Sequence, residues 1–213
     1  MPKNATKNKL ESARVTLGNI DEDEELRTIL AAAGYAAPEL AHGHTLYDTV
    51  QQLIIASNAA QGAKLSATKE VVALRDLVED QAKMLAQMAR TIFASDAEAL
   101  ETLGLRKKAA DRSQAAFLAH ARLLYDGALG SPKILDALAK VGYPKERVEA
   151  CRAKLAELEQ ADIAQEKRKS EAEQHSAAQN AALDELEGWL QRLRGVGRSA
   201  LAGRKDLLKK INP

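Results

Sequence analysis

The sequence predicts an all-α protein: an antiparallel helical bundle built from two tandem copies of a long-helix hairpin flanked by short helices. Three observations carry that prediction. The composition is rich in charged residues (29%) and poor in aromatics (3%), as in bundles and coiled coils. Apolar residues recur at steps of three and four over long stretches, as in Val71, Leu74, Val78, Gln81, Leu85, Met88 and Ile92. The chain also aligns with itself at one offset of 108 residues, which divides it into a first copy, 1–105 with a polar N-terminal tail, and a second copy, 106–213.

The clearest shared feature is a helix stop. Leu30-Ala31-Ala32-Ala33-Gly34-Tyr35 recurs as Leu138-Ala139-Lys140-Val141-Gly142-Tyr143. Glycine enters the left-handed region without a side-chain penalty, so Gly34 and Gly142 are read as the residue past each helix cap. Leu30 with Tyr35, and Leu138 with Tyr143, then form the apolar contact of a Schellman motif. The tyrosines are clasp residues on this reading. The register is supported elsewhere by Leu10 with Leu118, Ala13 with Ala121, Asp76 with Asp184, Leu85 with Leu193 and Leu100 with Leu208.

Each element follows in turn. Residues 1–8 read as a polar tail and 9–18 as a short first helix. The acids Asp21–Glu25 precede Leu26, where they complement the positive end of a helix dipole. Leu26–Ala33 ends at the first Gly-Tyr stop. A longer helix starts near Pro38, and Gln61-Gly62-Ala63 is the expected break before another from Ser66 to about Ala94. Asp96 is the expected cap of a short helix closing at Gly104. In the second copy, Ser113–Leu129, Ile134–Val141 and a helix from Pro144 onward repeat the order. Gln165–Asn180 is polar with scattered alanines. Either one helix runs from 145 to about 202, or two antiparallel helices turn near Ser170–Ser176. A helix with no apolar face would have to lie in solvent, and the hairpin is favoured because the matching place in the first copy carries Gly62.

No constellation for chemistry emerges. Glu39-Leu40-Ala41-His42 has the Glu-x-x-His spacing of carboxylate-bridged metal bundles, but the matching positions of the second copy are Arg147 and Ala150. His120 and His175 lack relay partners, and Cys151 at an apolar heptad position reads as a small buried hydrophobe. Gly195-x-Gly197 follows no strand and is not a dinucleotide signal. Arg14, Arg122, Arg90 and Arg198 are expected to pair with Asp76, Asp184, Glu79 or Glu187 and orient helices. Catalytic residues, metal and cofactor are therefore all expected to be none, and the chain is not expected to be an enzyme.

Charge gives the remaining signal. The first copy carries ten Lys+Arg and fifteen Asp+Glu, a net of −5. The second carries the other twenty-one and fifteen, a net of +6. Opposite halves attract, within a chain or between chains. The candidate interaction surface is the acidic run Asp21, Glu22, Asp23, Glu24 and Glu25 with the basic end Arg192, Arg194, Arg198, Arg204, Lys205, Lys209 and Lys210. The expected function is that of a structural or interaction protein that self-assembles through these halves. The alternative is a membrane-active or lipid-binding protein whose basic amphipathic end meets acidic lipid. Nucleic acid is the less favoured partner, since two Phe and one Trp leave little surface for stacking. A single cysteine excludes an internal disulfide. The N-terminus does not read as a Sec-type signal, and no apolar run approaches the roughly 20 residues of a membrane span. A cytoplasmic location is the expectation.

Overall fold

The computed structural model describes residues 3–106 and 113–212. Among these the chain is all-helical, with no strand: α1 Lys3–Glu22, α2 Glu24–Ala32, α3 Ala37–Ile92, α4 Ala97–Thr102, α5 Gln114–Leu129, α6 Pro132–Ala139, α7 Lys145–Ala200 and α8 Lys205–Ile211. The 108-residue offset holds helix by helix. It carries both ends of α3 onto the ends of α7, the start of α2 onto the start of α6, and the start of α4 onto the start of α8.

The helix stops have the expected geometry. Gly34 and Gly142 have φ of 100° and 85°. The Tyr35 amide donates to the Leu30 carbonyl at 2.9 Å, and the Tyr143 amide to the Leu138 carbonyl at 3.0 Å. Gly34 donates to Ala31, and Gly142 to Ala139, both at 3.2 Å, which completes the Schellman pattern. The starts are capped as read: Asp96 accepts from Ala99 N–H and Ser113 from Ala116 N–H. The first helix is longer than expected. α1 is helical from Lys3 to Glu22 and takes in most of the supposed tail.

The main correction concerns the long helices. No hairpin turn forms at Ser170–Ser176 and no break at Gly62; α3 and α7 are each one continuous helix of 56 residues. Glycine inside a helix costs about 1 kcal/mol against alanine, which packing overrides. The polar middle of α7 has partners that its own sequence does not reveal. Gln165 donates to Thr68 Oγ1 at 3.1 Å, and Gln61 to Ser176 Oγ at 3.2 Å. Ala172 is fully buried. The hairpin of the bundle is thus made by two helices of different copies, running antiparallel.

Two compact units result, and their limits are not those of the sequence copies. Unit 1 joins Met1–Gly62 to Ser170–Pro213; unit 2 is Ala63–Lys169. Unit 1 therefore combines α1, α2 and the first half of α3 with the second half of α7 and α8. Unit 2 combines α5, α6 and the first half of α7 with the second half of α3 and α4. Each unit has its own core. In unit 1 it is built on Leu17, Ile20, Leu26, Leu30, Val50, Leu186, Trp189, Leu193 and Ile211. In unit 2 the equivalent set is Tyr125, Ala128, Ile134, Leu138, Leu158, Val78, Leu85 and Leu103. Gln81 stands where Trp189 would be expected from the repeat.

This exchange of halves predicts that the covalent link between copies is dispensable for the fold. After cleavage at a protease site introduced between Arg106 and Ser113, the two pieces should elute as one species with the helix content of the intact chain. Their melting temperature should become concentration-dependent, because folding is now bimolecular. Pieces that part in buffer would contradict the unit boundaries.

Candidate interaction surface

The acidic run lies at the junction of α1 and α2, and the basic end spans the last turns of α7 and α8. Within unit 1 the two are already joined. Asp23 caps α2, its carboxylate accepting from Leu26 N–H at 3.0 Å, and it also accepts from Lys210 Nζ at 2.6 Å. Arg204 lays its guanidinium fork on both Glu25 oxygens and holds Asp206 from the other side, at 3.0 Å. Lys210 first, and the Leu26 amide second, hold the Asp23 carboxyl below its ordinary range. Arg204 does the same for Glu25 and Asp206. Lys210 and Arg204 are in turn raised, chiefly by their bonds to Asp23 and to Glu25. Asp21 accepts from His44 Nε2 at 3.2 Å when the imidazole carries a proton there.

The other members are dispersed. Arg194 is not a surface group. Its Nε donates to the Ile211 carbonyl at 2.9 Å and its Nη2 to Ser12 Oγ at 2.7 Å and Thr16 Oγ1 at 3.2 Å. Burial, then Arg198, lower its pKa. It ties α1, α7 and α8 together. Among the described residues, Glu22, Glu24, Arg192, Arg198, Lys205 and Lys209 have no ion pair with a described partner.

The expected arginine pairs do not form. Arg14 meets Glu11 on its own helix at 2.7 Å, and Arg122 meets Glu159 at 2.7 Å. Glu187 is taken by Lys9 and Glu79 by Lys83. Spacing along one copy does not report these partners. Glu39 has no metal-site geometry with His42; it accepts from the Trp189 indole N–H at 3.1 Å. Among the described residues no group of three His, Cys, Asp or Glu is placed to hold a metal ion. Cys151 is buried, and burial pushes its thiol up against a smaller downward pull from Arg147.

One surface was not singled out from the sequence. Among the described residues the exposed large apolar side chains Leu65, Val72, Leu77, Met84, Leu123, Val141 and Ile163 belong to unit 2; unit 1 has Ile55, at the position of Ile163 in the repeat. On α3 they flank the core stripe on its two sides, Leu65 and Val72 on one and Leu77 and Met84 on the other. The doubled apolar residues were the available signal. A groove of about 890 Å³ between α3 and α7 opens on the Leu77 side, with Ala73, Leu74, Leu77, Ala153 and Ala156 in its walls.

Comparison with protein-family models, curated sequences and solved structures finds no match for the chain. Among the described residues no helix is long and apolar enough to cross a membrane.

The carboxylates of the clamp set a pH dependence. Their folded pKa values lie below the unfolded ones, so their contribution is complete above the unfolded range of about 3.9–4.3 and is lost as pH falls through the folded values. In urea unfolding followed from pH 6 to pH 2, Asp23→Asn/Glu25→Gln should lose less stability than the wild type below about pH 4. Parallel curves for the two proteins would rule out this clamp as a source of acid sensitivity.

Proposed function

We propose that the chain is a non-enzymatic structural or interaction protein that assembles with further copies of itself, and that the outer face of unit 2 is the contact. The observation behind this reading is a comparison of like positions in the two units. Leu65, Val72, Leu77 and Met84 of α3 correspond to Glu173, Asn180, Glu185 and Arg192 of α7. All eight are exposed. The fold therefore accepts polar side chains at these positions, and unit 1 has them. Apolar side chains are therefore not required by the fold there, and Leu77 and Met84, a heptad apart on one side of α3, support a contact surface on that side. Each is about half exposed, so covering it contributes about 1 kcal/mol.

The opposite-charge route expected from the sequence is narrowed by the clamp. Asp23, Glu25, Arg204 and Lys210 satisfy one another inside unit 1. What remains for a charge contact between chains is Glu22 and Glu24 against Arg192, Arg198, Lys205 and Lys209. The lipid reading has less support. Leu207 and Ile211 of α8 are buried in unit 1, so the basic end offers lipid its charge without its apolar side.

Light scattering on the untagged protein at low and high salt tests the proposal. An apolar contact gives an oligomer that persists in high salt, since screening weakens only the charge pairs. Leu77→Glu/Met84→Arg, which installs the residues of unit 1, should reduce the mass toward that of one chain without lowering the melting temperature. A monomer at both salts overturns self-assembly. An oligomer that dissolves in salt and ignores the double variant moves the contact to the charged ends.

A further inference from the structure

Beyond self-assembly, and independent of it, we infer that the two copies carry a pairing code that admits only the unlike copy. The surface by which each copy receives its partner is complementary to the other copy and mismatched to its own kind. A second chain can then enter a unit only by supplying the missing unlike half.

The first element of the code is charge inversion at one pair of positions. In unit 1 Glu25 of α2 pairs with Arg204 before α8. The same positions in unit 2 hold Lys133 of α6 and Asp96 before α4, paired at 2.6 Å. The partners are the same in place and opposite in sign. If first copies paired with each other, Glu25 would face Asp96. If second copies did, Lys133 would face Arg204. Both like pairings set equal charges together, and both unlike pairings are attractive.

The second element is shape. Trp189 is fully buried against Gly43, and a Cβ placed on Gly43 would lie 2.5 Å from its Cζ2. The Trp189 indole also donates to Glu39 and meets the Tyr35 ring edge-on, with centroids 5.8 Å apart. The corresponding residues of unit 2 are Cys151 for Gly43, Gln81 for Trp189 and Arg147 for Glu39. There Arg147 lies over the Tyr143 ring, 4.1 Å from its centroid. Second copies paired together would bring Trp189 onto the Cys151 side chain. First copies paired together would leave Gly43 and Gln81 around a void. Unit 1 sets the larger Trp189 against a position with no side chain, Gly43; unit 2 sets the smaller Gln81 at the one and a side chain, Cys151, at the other.

A third position agrees. In unit 1 Asn19 donates to the Lys210 carbonyl at 2.7 Å. In unit 2 the equivalent residue is Gly127, and a Cβ there would run into the carbonyl of Thr102, the equivalent of Lys210. α5 approaches α4 closely enough to admit glycine alone. Charge and shape thus exclude the same wrong partners, by attraction to the right copy and repulsion of the wrong one.

Full-length variants test the code, read by circular dichroism melting under reducing conditions. Gly43→Cys should lower the melting temperature by roughly 5–10 °C through overpacking, and Trp189→Gln by roughly 10 °C through the void. Gly43→Cys/Trp189→Gln transplants the pair of unit 2 into unit 1 and should recover at least half of the summed loss. Additive losses in the double variant overturn the shape element. Glu25→Lys, an exposed change that does not depend on core packing, mimics the like pairing of second copies. It should melt about 1–3 °C below Glu25→Gln at low salt, with the gap closing at high salt. No gap between these two variants at low salt overturns the charge element.

Discussion

The antiparallel pairing of α3 with α7 is the interaction on which both cores depend. Val50 and Val78 lie on the same helix, both fully buried, yet in different cores. They are 28 residues apart in the chain. A continuous helix cannot turn back to join those two positions. Each end of α3 needs a separate cover, and the two ends of α7 supply it. The short helices then close each core over its long-helix pair: α1, α2 and α8 in unit 1, α5, α6 and α4 in unit 2.

Stability and specificity come from different groups in this arrangement. Core side chains such as Leu26, Leu138, Leu155 and Trp189 are removed from water entirely and supply the driving force. The ion pairs Glu25–Arg204 and Lys133–Asp96 are solvent-exposed on at least one side, where water and salt screen such contacts. They do little to hold a unit together. Their effect is to make the wrong pairing repulsive. The net −5 and +6 of the copies follow the same logic, since each unit draws part of itself from an acidic copy and part from a basic one.

Much of the local structure was legible because its causes are local. The Schellman stops at Gly34 and Gly142, and the caps at Asp96 and Ser113, are written within a few residues of chain. The repeat is legible for another reason: burial imposes like residues at like positions, as with Leu30 and Leu138 or Leu85 and Leu193. The continuity of α7 was not legible. Gln165–Asn180 shows no apolar face by itself, and its partners Gln61 and Thr68 come from the other copy. The arginine pairs failed for a related reason. Arg14, Arg90, Arg122 and Arg198 were matched to acids by their place in the repeat, and the repeat does not say which helix crosses which. The charge split was visible at once, but not that it is met within unit 1 by Asp23 with Lys210 and Glu25 with Arg204.

The two units also show what the fold leaves free. Their cores agree at most positions, Trp189 against Gln81 being the main exception, whereas their outer faces differ more widely. Where unit 1 presents Glu173, Asn180, Glu185 and Arg192, unit 2 presents Leu65, Val72, Leu77 and Met84. Each unit serves as the control for the other, because both solve the same packing problem. A feature found in both, such as the Tyr35 and Tyr143 clasps, answers to the fold. A feature found in one alone answers to something else, and the apolar face of unit 2 is the largest such feature. That places the search for a contact on α3 between Leu65 and Met84, away from the charged ends that first draw attention in the sequence.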